Sequence, residues 1–285
     1  MVHLKHVRRD APWAWLKAGW QDIVRAPRVT LGYGLIFVGV GALIVLGLNA
    51  IGFASAVPVA LSGFALVAPA LAIGIYQVPR AIERGEKPRF RFIISRFPSR
   101  LSQIGFLSLL LLMLFLLWVR IAQFLLVALA PETPLLPGPF LEYALSDPAG
   151  LSLMVIGTTI GAILAAVAFS MSALAFPMLV DQDVDAVTAL VASFKAVIGQ
   201  PFVMLTWAWL IAFMMAAGSA VFLVGLAVTF PWIALATWHA YRDFSPEAAP
   251  PASSSASSSS TSIASSMVMI PTSRPSAFTT GAWIM

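Results

Sequence analysis

Residues 29–79 read "VTLGYGLIFVGVGALIVLGLNAIGFASAVPVALSGFALVAPALAIGIYQVP", fifty-one residues without a charge. A helix rises about 1.5 Å per residue and the hydrocarbon core of a bilayer is about 30 Å thick, so one span needs roughly 20 residues. The run therefore holds two spans, with a turn expected near Asn49–Ser55. Further uncharged runs lie at 101–130 (broken only by Arg120), 148–180 and 196–241. The last is again long enough for two spans, with a turn expected at "AAGS", 216–219. The expectation is an all-α polytopic membrane protein with six transmembrane helices in three hairpins, at about 29–50, 55–79, 101–130, 149–178, 201–217 and 219–241. These make one membrane domain, 1–245, followed by a disordered Ser-rich tail, 246–285.

Composition agrees. Sixty per cent of residues are apolar, 10 % are charged, and the mean hydropathy is +0.91. Soluble domains carry about 25 % charged residues. There is no cysteine, which excludes disulfides, thiolate nucleophiles and Cys-ligated metal centres. The basic N-terminus has no apolar stretch directly behind it, so the first span is expected to serve as an uncleaved anchor.

Six spans would place segments 1–28, 80–100, 181–200 and the C-terminal part on one side of the membrane. Those segments hold sixteen of the seventeen Lys and Arg residues; the exception is Arg120. The loop 131–148 on the other side carries only Glu132, Glu142 and Asp147. Positive charge collects on the cytoplasmic side, so both termini are expected there. The net charge of +5 then reflects topology and contact with anionic lipid, with no role for nucleic acid.

Two segments before uncharged runs are amphipathic. On a helical wheel, Trp13, Leu16, Trp20, Ile23 and Val24 share an arc that ends at Pro27. Val187, Leu190, Val191, Phe194, Val197 and Ile198 repeat the design before Pro201. Both are expected to lie on the membrane as elbow helices. A weaker third candidate is "RFRFIISRFP", 89–98. The likeness continues downstream, where "PALAIGIYQVPR" (69–80) aligns with "PWIALATWHAYR" (231–242). Tyr76 then matches Trp238, Gln77 matches His239, and Arg80 matches Arg242. This reads as a parallel repeat of elbow helix, proline, hairpin and arginine.

The stretches "GWQDIVRAP", "YGLIFVGVGALI", "ALVAPALAIGIY", "WVRIAQF", "FPMLVDQDVDAVTALVASFKAV" and "ATWHAYRD" resemble a bacterial integral membrane family, domain of unknown function 2189. The resemblance runs over about residues 12–245 and implies a bacterial inner-membrane protein. Some members of that family are labelled as a cytochrome c oxidase subunit. The family often has a second histidine before "ATWH"; here Leu235 stands there. The tail has no counterpart in the family.

A haem–copper centre needs several histidines inside the membrane. The three histidines here are His3, His6 and His239; two precede any span and the third is at the end of the last. No cofactor is expected, and an oxidase label would mean association or assembly. His239, opposite Gln77 in the repeat, is expected to be an interfacial hydrogen-bonding residue. The acidic residues of "DQDVD", Asp181, Asp183 and Asp185, are expected to cap the elbow helix that follows. Gly157, Gly161 and Ala165 lie four apart and should pack against another helix of the chain. Arg120, with Trp118 beside it, is expected near the outer membrane edge, pairing with loop 131–148. Arg120, Trp118, His239, Tyr241, Arg242 and Asp181 are thus the candidate polar sites. The sequence shows no motif for catalysis and no acidic residue inside a span for ion coupling. The expected function is a non-catalytic scaffold or assembly partner of a membrane complex. The alternative is a passive or exchange-type permease for a small solute or lipid, suggested by Pro58, Pro69, Pro177 and Pro231.

Overall fold

The computed structural model describes residues 5–53, 57–90, 101–129, 143, 145–220 and 224–245. All of these lie in one compact unit, Met1–Pro246. Among the described residues the regular structure is helical and there is no strand. The helices are α1 (Ala11–Arg25), α2 (Pro27–Ala50), α3 (Val57–Leu71), α4 (Gln77–Glu83) and α5 (Leu101–Leu129). They continue with α6 (Pro148–Ser172), α7 (Ala175–Asp181), α8 (Ala186–Gly199), α9 (Pro201–Ala220) and α10 (Leu226–Phe244).

Among the described residues four stretches are long and apolar enough to cross a membrane: Pro27–Ala50, Leu101–Leu129, Pro148–Asp181 and Pro201–Ala220. Six were expected. The two that fall short have physical reasons. α3 ends at Leu71 and gives way to a 3₁₀ turn at Ala72–Gly74. α10 closes with Arg242 and Asp243, which cut its apolar length. The first expected turn is confirmed at residues 51–53, where Gly52 takes φ +79, a value that suits glycine. The second is displaced: α9 runs through 216–219 to Ala220. There Gly218 packs directly on Gly225, so this small-residue segment brings two helices together and does not turn.

Two breaks follow from proline chemistry. A proline in a helix has no N–H for the carbonyl four residues back and its ring collides with it. Pro79 stands four residues after Ile75, and Pro177 four after Ala173; the chain breaks at 75–76 and 173–174. α4 and α7 are the short helices resumed after those breaks. The N–H of Leu174, at the second break, donates to Ser193 Oγ of α8 at 3.1 Å.

The elbows match. Ala26, between α1 and α2, has φ/ψ of −136/52, and Gln200, between α8 and α9, has −137/63. Each precedes a proline, which disfavours helical angles at that position. The repeat read from sequence therefore has a geometric counterpart at both joints.

The inward faces differ from the expected arcs. In α1 the buried residues include Trp15, Leu16, Gly19, Asp22 and Ile23, while Trp13, Trp20 and Val24 are exposed. In α8 the small residues Ala186, Ala189, Ala192, Ser193 and Ala196 face inward, and Val187, Val191 and Ile198 are exposed. Small residues allow close helix approach, and this decides which face packs. The third elbow candidate lies mostly outside the described residues, as does the Ser-rich tail.

α10 is the centre of the bundle. Thirteen of its 19 residues are buried, against Ile104, Leu107, Leu111 and Leu125 in the 29-residue α5. α1, α2 and α9 pack around it. A Cβ on Gly19 would stand 2.7 Å from the Ala236 amide nitrogen, and one on Gly34 would overlap the Ala227 carbonyl. That carbonyl is the one Pro231 cannot bond in the helix. Phe37 of α2 stacks on Phe230 with ring centroids 3.7 Å apart.

Candidate functional site

At the end of the bundle where α4, α7 and α10 terminate, one carboxylate gathers three partners. Asp181, last residue of α7, accepts from Tyr241 Oη at 2.8 Å. Its oxygens lie 3.6 Å from Arg80 Nε and 3.3 Å from Arg242 Nη1. Arg80 Nη1 also donates to the Val180 carbonyl at 3.2 Å, and Gln182 Nε2 to Tyr241 Oη at 2.9 Å. Glu83 of α4 completes the cluster, accepting from Trp238 Nε1 at 2.9 Å and lying 3.5 Å from Arg242 Nε. Three chain segments distant in sequence are tied by charge-assisted bonds, which are stronger than neutral ones.

A second pair sits on another face of α10. His239 Nε2 is 2.7 Å from Asp22 Oδ2, and only 3 % of the Asp22 side chain is exposed. Arg25, one turn on, lies 3.6 Å from the other oxygen. Nearby on α1, Trp15 Nε1 donates to Asp243 Oδ2 at 2.6 Å, and Trp232 Nε1 donates to the Leu16 carbonyl at 2.7 Å. Gln200 fastens the N-terminal segment by accepting from the Val7 amide and donating to the Lys5 carbonyl.

Between α6 and α9 lies a cavity of about 860 Å³ with an apolar lining. Its walls include Ala165 and Ala166 of α6 and Phe202, Leu205 and Trp209 of α9; its floor includes Phe230 and Ala234 of α10. Among the described residues no group of three or more His, Asp or Glu side chains could hold a metal ion.

The expected site residues divide into three places. Asp181, Tyr241 and Arg242 meet in the carboxylate cluster. His239 bonds Asp22 across the contact between α1 and α10. Of the acidic residues expected to cap α8, Asp185 does so, accepting from the Thr188 amide at 2.6 Å, while Asp181 is drawn to the arginines. Arg120 and Trp118 lie apart on α5. Trp118 covers Gly161 of α6, where a Cβ would meet the indole at 3.3 Å. Arg120 is exposed and donates to Gln123 Oε1 at 3.3 Å. Of its proposed loop partners, Asp147 caps α6 through the Ala149 amide, while Glu132 and Glu142 lie outside the described residues. Sequence reasoning missed Arg80, Glu83 and Asp22 as site members. The alignment of Arg80 with Arg242 was the available signal for the first.

The apolar helices, the buried polar ties between them and the small-residue crossings define an integral membrane protein. Over residues 56–181 the chain matches the family described as "Predicted integral membrane protein (DUF2189)". The matched region contains Arg80, Glu83, Arg120 and Asp181. No curated protein and no solved structure matches the chain.

Proposed function

We propose that the protein is a non-catalytic scaffold or assembly partner within a membrane complex. The observation that carries this reading is the Asp181 cluster. A carrier that works by rocking one repeat against the other must loosen the contacts between them. Here Arg80 and Arg242, matched positions of the two repeats, are held on one carboxylate. The reading includes six crossings, with α3–α4 and α10 as the second and sixth. α10, with 19 residues, is about 28 Å long, close to the thickness of the hydrocarbon core. It also includes a bacterial inner-membrane location with both termini cytoplasmic, supported by the one-sided distribution of Lys and Arg. The alternative, a permease, is narrowed by the apolar cavity lining to apolar or lipid cargo.

The test is purification from native membranes in a mild detergent, followed by mass spectrometry of co-purifying proteins. The expected result is a reproducible partner in near-stoichiometric amount that is lost in Asp181→Asn. Isolation of the chain alone, together with protein-dependent flux in proteoliposomes, would overturn the scaffold reading.

A further inference from the structure

We propose that the groove between α6 and α9 is a binding site for one anionic glycerophospholipid, with an acyl chain in the groove and the phosphate at Arg9. This stands apart from the scaffold reading and does not depend on it. Two observations carry it. First, the groove wall on α9 runs from Pro201 to Met215, a rise of about 21 Å. That exceeds one leaflet, about half of the roughly 30 Å hydrocarbon core. Its exposed flanks, Ala165, Ala166, Leu205 and Trp209, open it sideways, as a lipid entering from the bilayer requires.

Second, one end of the groove carries a cation. The Arg9 guanidinium lies over the Phe202 ring, 5.8 Å from its centroid, and Phe202 lines the groove. Ring contact occupies the face of the guanidinium and leaves its edge N–H donors for a phosphate. The neighbouring Arg8 is committed to Asp10 at 2.7 Å, so Arg9 is the cation of this mouth.

The experiment is native mass spectrometry of the full chain, released from detergent after incubation with defined lipids. Phosphatidylglycerol should be retained over phosphatidylcholine of the same chains by about fivefold, the weight of one surface cation. Arg9→Gln should erase that preference and Arg8→Gln should keep it. Equal retention of the two headgroups by the unaltered protein overturns the proposal. So does a headgroup preference that survives in Arg9→Gln. Far-ultraviolet circular dichroism and gel filtration of each variant separate loss of binding from loss of fold.

Discussion

Arg80 and Arg242 occupy the same position in the two repeats, and both reach Asp181, at 3.6 and 3.3 Å. The two guanidiniums would repel each other if the carboxylate were neutral. Asp181→Asn should therefore lower stability by about 1–3 kcal/mol, the range for hydrogen bonds to charged groups. Arg242 is almost half exposed, so Arg242→Gln should cost less than about 1 kcal/mol. Thermal unfolding in detergent ranks the two; equal losses would mean that Asp181 does not hold the cluster together.

Gly34 crosses α10 where there is no room for a side chain, since the Ala227 carbonyl occupies that space. Backbone must move to admit a methyl group, and overpacking of this kind costs typically about 1–3 kcal/mol. Gly39, on the same helix, has nothing within 4 Å of a built Cβ. Gly39→Ala should be neutral or add up to about 1 kcal/mol through helix propensity. Opposite shifts in melting temperature for Gly34→Ala and Gly39→Ala are expected, and a shared direction would contradict the crossing.

Much of the helical layout was legible because uncharged runs are long and prolines are local punctuation. Pro27 and Pro201 mark the elbows in the sequence and in the structure alike. The inward faces were less legible. Hydrophobic arcs identify the apolar side of a helix, but inside a membrane protein apolar side chains also suit lipid. Trp13 and Val24 therefore face outward while Gly19 and Asp22 face inward. Tyr241 and Arg242 could be singled out as polar groups at a span end. Their partners Asp181 and Glu83 could not be paired with them, because those contacts link distant segments. The repeat alignment held more than was drawn from it, since equivalent positions meet in space: Tyr76 and Trp238 have ring centroids 6.0 Å apart.

Arg120 separates a surface cation from a structural clamp. Its side chain is exposed and its bond to Gln123 stays within one turn of α5. Arg120→Gln should change stability by about 0–1 kcal/mol. A melt lowered by several kcal/mol would restore a buried partner from loop 131–148.

Single cysteines test the crossing pattern in a chain that has none of its own. Ser146→Cys, just before α6, should react with a membrane-impermeant thiol reagent applied to intact cells. Ser95→Cys, in the Arg-rich segment, should react only after the cells are opened. Reversed labelling would place the basic segments outside.

The Asp22–His239 pair yields a prediction from the repeat itself. Asp22 is buried, and its carboxylate lies 2.7 Å from His239 Nε2, with Arg25 farther off at 3.6 Å. A carboxylate can only accept, so the imidazole nitrogen supplies the proton. Removing one partner of a buried pair costs about 3–5 kcal/mol, because the other is left desolvated and unmet. Some of that is relieved here, since 26 % of the His239 side chain reaches solvent. His239→Leu should therefore cost about 2–3 kcal/mol, just below that range. The matched position in the first repeat is Gln77, an amide that can donate and that this geometry accommodates. His239→Gln should keep a donor toward Asp22 and lose less than about 1 kcal/mol. Melting curves of the two variants, with Asp22→Ala as the background for a double-mutant cycle, decide the matter. If glutamine and leucine cost the same, the hydrogen bond contributes nothing and His239 stabilises the crossing by packing alone.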